Sequence, residues 1–397
     1  MTPGADAGSA QLRGERLRVH VFCRVVDNYG DAGVAWRLAR QLAAEHRADA
    51  TLWIDAAGAL ARIEPAFDAR LDDVRVRGVR VRRVQDATGS EILPHLVVEA
   101  FGGGLPEAYL GAMAAQAKPP VWVNLEYLSA EFWIEAAHRL PSPQPRLPLT
   151  RYFFFPGFTP ATGGLLRERD VFARRDAARH VAREARLPAA VATTVANAGG
   201  LHGLVVSLFC YPNGALPALL DVWAEGDERV TCLVPHGVAA PSFDAWLGGT
   251  VPRAGEVVVR GALTLVGIPF TSQDDYDRLL WSCDLNFVRG EDSFVRAQLA
   301  ARPLVWQAYV QAEDAHIVKQ AAFVDRYVDG LDVATSVSVR AVHEIWNRQS
   351  PGMGPCWFAL QEAKTTFDRH AVGWARRITQ GADLATKLAE FCQDRLE

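Results

Sequence analysis

The chain has 397 residues, of which 49% are hydrophobic and 22% are charged, and its formal net charge is −4. This length suits two domains of roughly 150 to 200 residues, and the composition excludes an intrinsically disordered protein. The slightly acidic balance excludes a protein that binds nucleic acid or an anionic membrane through a strongly positive overall charge.

Cysteine spacing and apolar segments indicate the cellular compartment in which the protein works. The chain has six cysteines, and none forms a CxxC pair or a Cys/His spacing typical of a metal site. We therefore expect reduced thiols in a reducing compartment. The first sixteen residues contain no apolar signal segment, and no apolar run approaches the roughly 18 to 20 residues of a membrane span. The sequence predicts a cytoplasmic protein without membrane contact.

In the first half, short aliphatic strands alternate with helical patterns. Strands are predicted over 18–23, 51–54, 79–84, 96–99, 121–124 and 152–155, and helices over 34–45, 105–115 and 131–139. The alternation of arginine and valine over 74–84 is interpreted as one strand with a solvated face. Strands that alternate with helices are typical of parallel sheets covered by helices on both faces, so the predicted fold class is α/β.

A segment rich in proline interrupts this pattern. Residues 141–164 contain six prolines and three glycines around an aromatic run, which indicates an interdomain crossover. A second alternation follows, with strands over 204–209, 230–234, 263–268, 285–288 and 304–306, helices over 215–224, 273–281 and 293–300, and a helical C-terminal part. Two Rossmann-like lobes are therefore predicted, with ligands in a cleft at the carboxyl ends of their strands.

The first predicted strand runs into a polar segment that contains Asp27, Asn28, Gly30, Asp31 and Gly33. We predict a loop here, followed by a helix that starts at residue 34. The segment lacks the GxGxxG fingerprint of dinucleotide-binding folds, and two carboxylates would repel a pyrophosphate. Paired acids at this point favour a cationic or proton-donating substrate. A turn followed by a capped helix remains an equal alternative.

A second polar segment follows a buried strand in the C-terminal half. Arg289 and Gly290 form a predicted turn, and Glu291, Asp292 and Ser293 open the next helix. Free amides at the helix start, with the Ser293 hydroxyl and the Arg289 guanidinium, could hold a diphosphate. The two acids suit a ribose hydroxyl, a sugar hydroxyl or a cationic acceptor. A capped helix without a ligand is the alternative.

Gln273 and Tyr276 stand at another predicted helix start, where an amide and a ring could bind a base by hydrogen bonding and stacking. Asp275, Tyr276 and Asp277 also match the DxD metal motif of sugar transferases. Helix capping is the better explanation of these acids, and the sequence predicts no metal site.

Several longer motifs appear together, namely FCRVVDNYGDAGVAWRLARQL, EAFGGGLPEAY, WVNLEYLSAEFW, QDDYDRLLW and RGEDSFVRAQLA. Their combination and order strongly resemble the EarP family of bacterial protein-arginine rhamnosyltransferases, which modify elongation factor P. The resemblance spans about residues 17 to 375. It implies a GT-B glycosyltransferase fold with two Rossmann-like lobes and an interdomain cleft.

The resemblance also implies an activity and a domain plan. The implied reaction is inverting transfer of L-rhamnose from dTDP-β-L-rhamnose to a loop arginine of elongation factor P, which activates that factor for the rescue of polyproline-stalled ribosomes. The implied plan is an N-terminal extension over 1–16, an acceptor lobe over 17–165 with a helix over about 376–397 packing back on it, and a nucleotide-sugar lobe over 190–375. No cofactor or metal beyond the donor substrate is expected.

Matching positions give the implied site residues. The acids important for activity are Asp27, Asp31 and Glu291, and the acceptor-side loop includes Asn28, Gly30 and Gly33. The donor-site positions are Tyr211, Gln273, Tyr276, Arg289, Gly290, Glu291, Asp292 and Ser293. Because a guanidinium is a poor, protonated nucleophile, a group must hold it and accept its proton. We expect Asp31 to be the general base and Asp27 its orienting partner, while Glu291 polarises the acceptor or fixes the donor.

Two other functions are compatible with the fold. One is a GT-B enzyme with a small-molecule acceptor, and the other is a catalytically silent sugar-nucleotide or protein-binding module. A hydroxyl acceptor needs only one base, so the paired acids favour an arginine acceptor. The presence of Asp27, Asp31 and Glu291 argues against a silent module.

Overall fold

The computed structural model describes residues 11–12, 15–249 and 252–396 of the chain. It divides into two compact units: unit 1 comprises Met1–Arg169 and Gly381–Glu397, and unit 2 comprises Asp170–Gln380. The predicted extension over 1–16 lies largely outside the described residues, and its described part forms two short strands, β1 and β2 below.

Unit 1 is built around an eight-stranded sheet. Its strands, including the short pair that precedes the sheet, are β1 (Gln11–Leu12), β2 (Glu15–Arg16), β3 (Arg18–Cys23), β4 (Asp49–Ile54), β5 (Asp73–Val76), β6 (Val79–Arg83), β7 (Leu96–Ala100), β8 (Val121–Leu125), β9 (Pro141–Pro143) and β10 (Thr150–Phe154). Its first helices are α1 (Asn28–Glu45), α2 (Ala57–Ile63), α3 (Glu107–Ala114) and α4 (Trp133–Ala137), with a 3-10 turn at Val84–Asp86.

The sheet of unit 1 has the strand order β5-β6-β4-β3-β7-β8-β10-β9. The six strands from β6 to β10 in this order pair in parallel, whereas β5 and β9 pair antiparallel at the two edges. Counted along the chain, the parallel strands follow the order 3-2-1-4-5-6 of a doubly wound fold. The order reverses between β3 and β7, so the loops after these two strands flank the expected ligand-binding position.

The residues of the central strands explain this arrangement. Every residue of β7 and β8 is buried, as expected for parallel strands that are covered on both faces. The predicted single strand over 74–84 is wrong, because β5 and β6 form a hairpin. Arg77 and Gly78 connect them with φ values of 47° and 83°. A two-residue turn with positive φ at both positions matches the twist of a hairpin.

Unit 2 contains a six-stranded sheet. Its strands are β11 (Leu204–Leu208), β12 (Val230–Pro235), β13 (Val257–Arg260), β14 (Leu263–Ile268), β15 (Leu285–Arg289) and β16 (Leu304–Gln307). Its helices are α5 (Val171–Arg179), α6 (Arg183–Arg186), α7 (Ala189–Asn197), α8 (Leu216–Glu225), α9 (Ala240–Leu247), α10 (Gln273–Ser282), α11 (Asp292–Leu299), α12 (Ala315–Tyr327), α13 (Val333–Arg348), α14 (Met353–Glu362) and α15 (Lys364–Arg377), with a 3-10 turn at Ala312–Asp314.

The sheet of unit 2 has the order β13-β14-β12-β11-β15-β16, and only β13 pairs antiparallel. The order reverses between β11 and β15, which defines a second expected ligand-binding position. Two α/β units with Rossmann-like parallel cores confirm the predicted fold class.

The chain returns to unit 1 in helix α16 (Leu384–Leu396). Its Phe391 ring packs against Tyr152 and Phe154 of β10 at centroid distances of 5.4 and 5.6 Å. The prediction of a crossover over 141–164 is therefore wrong, because β9 and β10 belong to unit 1 and the chain enters unit 2 after Arg169. Two of the six prolines, Pro141 and Pro143, lie in β9, an edge strand, where a missing N–H is tolerated.

In the described parts of the chain, no helix combines the length and the apolar character needed to cross a membrane.

Candidate functional site

In unit 1, Asp31 lies beside the position where the strand order reverses. Its side chain points from the first turns of α1 back to the chain that leaves β3, and Oδ2 accepts the backbone N–H groups of Val26 and Asp27 at 2.8 and 2.9 Å. The residue is 0% exposed, and Oδ1 is buried without a hydrogen bond to the described residues. Burial, with added repulsion from Asp31 and Asp55, raises the pKa of the neighbouring Cys23 thiol. Asp31 therefore presents one fixed oxygen and one free to accept a proton.

Asp27 occupies the N-cap position of α1 but does not cap the helix with its side chain. Its carbonyl oxygen accepts the Gly30 N–H at 2.7 Å, and the residue is half-buried. The predicted loop is wrong in extent, because α1 begins at Asn28 and includes Gly30, Asp31 and Gly33. The helix starts early because Asp31 binds the two amides ahead of it, which stabilises the entry of the chain despite the two glycines.

The glycine-rich segment after β7 lies on the other side of the reversal point. The N–H of Gly102 donates to Asn124 Oδ1 at 2.9 Å, and the N–H of Gly104 donates to Glu99 Oε1 at 3.0 Å. At Gly103, a Cβ atom would lie 3.1 Å from the Cβ of Arg24 in the segment after β3. The two segments that flank the reversal point are therefore in close contact, which is the physical reason for a small residue here.

In unit 2, the polar side chains gather at the carboxyl ends of β11, β14, β15 and β16. Arg289, the last residue of β15, stacks its guanidinium over the rings of Phe209 and Tyr211, with distances of 4.6 and 4.5 Å from Cζ to the ring centroids. Its Nη1 donates to the carbonyl oxygen of Cys210 at 3.2 Å. This stacking fixes the plane of the guanidinium. Because a guanidinium carries five N–H groups, donors remain for an anion.

Tyr211 follows β11 and is held by a residue from another strand. Its backbone N–H donates to Oε1 of Gln307, at the end of β16, at 2.9 Å. Its ring contacts Tyr309 edge-to-face with a centroid distance of 5.5 Å, and Tyr309 is 47% exposed. These rings form an aromatic surface on which a nucleobase can stack.

The two acids at the start of α11 are each held by a partner. Glu291 is 8% exposed, and its Oε1 accepts from Nζ of Lys319, on α12, at 2.8 Å. Asp292 Oδ2 accepts from Nε2 of Gln273, on α10, at 3.0 Å. The positive charge of Lys319 offsets the carboxylate that would otherwise repel an anion at the N-terminus of α11.

Tyr276 and Ser293 complete this group. Burial, with added repulsion from Asp292, raises the pKa of the Tyr276 hydroxyl well above its ordinary value, so the group stays neutral. The Ser293 hydroxyl donates to the carbonyl oxygen of Arg289, and it must rotate to donate to a phosphate. Gly290 has a φ of 63°, a conformation that favours glycine and that turns the chain from β15 into α11.

The predicted site residues thus fall into two groups. Unit 1 contains Asp27, Asn28, Gly30, Asp31 and Gly33, and unit 2 contains Tyr211, Gln273, Tyr276 and the run from Arg289 to Ser293. The unit 2 positions lie on or directly after strands and helix starts at one edge of the sheet.

The sequence interpretation missed Phe209, Gln307, Tyr309 and Lys319 as members of the unit 2 group. No sequence signal singles out Lys319, because the other lysines of this arginine-rich chain are equally rare and lie outside this group. Phe209 and Tyr211 are two residues apart, a spacing that places both rings on one side of an extended strand. No sequence signal connects Gln307 with Tyr211.

Among residues 15–249 and 252–396, no group of three or more His, Cys, Asp or Glu side chains is arranged to hold a metal ion. Asp275 participates in the predicted helix cap, since the Ser272 hydroxyl oxygen accepts its backbone N–H at 3.2 Å. Asp277 does not, because it pairs with Arg296 instead. Capping was therefore the wrong explanation for the second acid of the DxD-like motif.

Comparisons with known proteins agree on one family. The family model described as "Elongation-Factor P (EF-P) rhamnosyltransferase EarP" matches residues 19–393. A protein-arginine rhamnosyltransferase of Pseudomonas putida is 46% identical over 376 residues, with 95% of this chain and 98% of that protein covered. The one from Pseudomonas aeruginosa is 42% identical over 382 residues, with coverage of 95% and 99%. A solved structure described as the structural basis for EarP-mediated arginine glycosylation of translation elongation factor EF-P has a TM-score of 0.67 and 34% identity, with coverage of 96% and 99%.

Proposed function

The chain belongs to the EarP family of elongation factor P rhamnosyltransferases, and from this premise we propose that it moves L-rhamnose from dTDP-β-L-rhamnose to an arginine of elongation factor P, with inversion at the anomeric carbon. As a protein-arginine rhamnosyltransferase, it is a glycosyltransferase that acts on a protein acceptor. One observation carries the detailed proposal: Asp27 and Asp31 stand together at the reversal point of unit 1, where one Asp31 oxygen accepts the backbone N–H of Asp27 and the other makes no hydrogen bond to the described residues.

On the acceptor side, two carboxylates suit a guanidinium. Asp27 is the more accessible of the two, and it binds the positively charged side chain through charge-assisted hydrogen bonds. Asp31 acts as the general base, because its Oδ1 makes no hydrogen bond to the described residues. As the C–N bond forms and the C–O bond to dTDP breaks, a guanidinium proton passes to this oxygen and the bonding electrons leave with dTDP, so the rhamnosylated guanidinium keeps a single positive charge.

On the donor side, the reaction releases a dTDP dianion or trianion, which needs positive charge. Arg289 supplies a guanidinium, and the amides at the start of α11 supply a partial positive charge. Tyr211 and Tyr276 bind the thymidine part, with Gln273, Asp292, Gly290 and Ser293 lining the same edge. Glu291, held by Lys319, fixes the sugar by accepting from a hydroxyl group.

A GT-B enzyme with a small-molecule acceptor is the alternative. The acids favour the protein acceptor, because an alcohol requires one base and gains nothing from a second carboxylate. A translation factor works on ribosomes, so we place the reaction in the cytoplasm, where the modification would activate elongation factor P for polyproline-stalled ribosomes.

Intact-mass and tandem mass spectrometry test the proposal. Elongation factor P incubated with the protein and dTDP-β-L-rhamnose is expected to gain the mass of one deoxyhexose, and fragmentation is expected to place it on an arginine. The matched control is an elongation factor P in which that arginine is replaced by lysine, and it should stay unmodified. A mass gain on a serine, threonine or small molecule, with none on arginine, would show that the proposed acceptor is wrong.

Lys319 provides a test of the donor-site electrostatics. Lys319→Met leaves the largely buried Glu291 carboxylate without its ammonium partner, and we expect kcat/KM to fall by about tenfold or more. Lys319→Arg keeps the charge and should retain most activity. Lys364→Met is the matched control, because Lys364 pairs with Asp368 at 2.6 Å in the same unit. Equal activity of Lys319→Met and the control would remove Lys319 from the site.

Chelation tests the expectation that the reaction needs no metal. Arg289 and the amides of α11 are expected to stabilise the leaving diphosphate, so EDTA in excess over divalent ions should leave the initial rate unchanged. The measurement is the rate of deoxyhexose incorporation with and without EDTA. A rate that collapses in EDTA and returns with magnesium or manganese would contradict this expectation.

A further inference from the structure

Helices α10 and α11 begin with donor-site residues, and each has a second polar residue one turn further on. On α10, Gln273 is followed by Asp277, and on α11, Asp292 is followed by Arg296. Residues four apart lie on the same face of a helix. The two helices therefore face each other with two successive polar pairs.

The first pair is the hydrogen bond from Gln273 Nε2 to Asp292 Oδ2, 3.0 Å long. The second pair is a two-pronged ion pair, in which Arg296 donates from Nε to Asp277 Oδ1 at 2.8 Å and from Nη2 to Oδ2 at 2.5 Å. Both of its side chains are 1% exposed. A planar guanidinium that faces a carboxylate in this way fixes the relative orientation of the two side chains as well as the distance between them.

Stability alone is a weak reason for such a pair. Removing two charges from water costs nearly as much as their attraction returns, and apolar residues of similar size often stabilise a core as well or better. What an apolar pair lacks is direction, since hydrophobic contact allows helices to slide and rotate. The pair lies one helical turn below the Gln273–Asp292 contact, where a small rotation would separate the donor-site side chains.

We propose that Asp277 and Arg296 are positioning residues of the donor site, and that their ion pair holds the first turns of α10 and α11 in the register that binds the nucleotide sugar. This inference rests on the proposed donor site. Asp277 is adjacent to Tyr276, and Arg296 lies one turn after Asp292 and Ser293, so the pair sets the positions of groups from both helices. Neither residue touches the substrate.

Calorimetry with the full chain tests the proposal, using dTDP-β-L-rhamnose as the titrant. The variant Asp277→Leu/Arg296→Met removes both charges together and leaves neither of them buried alone, so it is expected to fold with a melting temperature close to that of the unmodified protein. Its donor Kd should rise by about tenfold or more, because the groups of a binding site must be held within about 0.5 Å of their productive positions. In kinetics, KM for the donor should rise while KM for elongation factor P stays unchanged.

A second variant tests the proposal if the first variant does not fold. Arg296→Lys keeps the buried charge but cannot form the two-pronged contact, so it should fold and weaken donor binding by about threefold to tenfold. Arg183→Met is the matched control, because Arg183 also forms a two-pronged pair in unit 2, with Asp284 at 2.9 and 2.7 Å. That pair joins α6 to the start of β15, so its loss should lower the melting temperature and leave the donor Kd unchanged.

The ion-pair variants and Arg289→Ala test the positioning role and the donor site separately. Folded Asp277→Leu/Arg296→Met or Arg296→Lys with a normal donor Kd would overturn the positioning role. If donor binding is also insensitive to Arg289→Ala, the donor site itself is wrong, and the positioning role is rejected with it. Dependence on Arg289 without dependence on the ion pair would overturn only the inference.

Discussion

Asp31→Asn is expected to lower kcat by about 10²-fold or more and to leave the affinity for dTDP-β-L-rhamnose unchanged. The substitution is conservative toward the fold, because the amide oxygen of asparagine can still accept the N–H groups of Val26 and Asp27 that Asp31 Oδ2 now binds. The amide nitrogen then replaces Oδ1, and an amide nitrogen cannot accept the guanidinium proton.

The measurement is a single-turnover experiment with donor-saturated enzyme and elongation factor P. Asp55→Asn is the matched control, since Asp55 Oδ1 likewise accepts a backbone N–H after β3, that of Val25, at 3.0 Å. Asp55 is exposed, and its variant should transfer rhamnose at a normal rate. Asp27→Asn should raise KM for the acceptor more than it lowers kcat. Near-normal turnover of Asp31→Asn together with a collapse in Asp27→Asn would reverse the two roles.

Arg289→Ala is expected to raise the donor Kd by about 10- to 100-fold, which corresponds to the loss of charged hydrogen bonds to a diphosphate. The effect should exceed that of Ser293→Ala, because a neutral hydroxyl contributes less to anion binding than a guanidinium. Arg289→Lys should lie between them, since it retains the charge but neither stacks flat nor donates in a fork.

Calorimetry with dTDP and with dTDP-β-L-rhamnose provides the readout. Arg260→Ala is the matched control, because Arg260 stacks over the Trp246 ring at 4.2 Å in the same unit. Removing it also exposes an aromatic face but changes no donor-site residue, so the Kd should be unaltered. Equal donor affinity for unmodified protein, Arg260→Ala and Arg289→Ala would reject the diphosphate site.

Most of the parallel strands could be predicted from the sequence, because buried parallel strands are short runs of aliphatic residues with polar segments on either side. The strand over 263–268 has the predicted limits, and the first strand over 18–23 does as well. The edge strands β9 and β13 were missed. They consist of three and four residues that adopt strand geometry by pairing with β10 and β14, and such pairing leaves little trace in local sequence.

The start of α1 shows a second limit. Two glycines, an asparagine and two aspartates over 27–33 are turn formers by local preference, and a loop was the natural prediction. In the structure the segment is helical instead, because one side chain, Asp31, binds backbone amides that precede the helix. A contact between a helix residue and the chain ahead of it cannot be identified from composition.

The candidate site was predicted where its residues follow strands and open helices, as Arg289 to Ser293 do. It was missed where partners come from distant parts of the chain. Lys319 reaches Glu291 across 28 positions, Gln307 reaches Tyr211 across 96, and Arg296 reaches Asp277 across 19. Such pairs depend on the order of strands in the sheet, and the strand order becomes visible only in the folded chain.

The configuration of the product tests the central claim most directly. If an arginine nitrogen, deprotonated by a carboxylate, displaces dTDP from the opposite face of the sugar, the β-configured donor must give an α-L-rhamnosyl group on a guanidinium nitrogen. The one-bond coupling between C1 and H1 of the rhamnose, measured by NMR on modified elongation factor P made with labelled sugar, distinguishes the two configurations. We predict the α-linkage to nitrogen. A β-linkage, or a sugar attached through oxygen, would contradict the account.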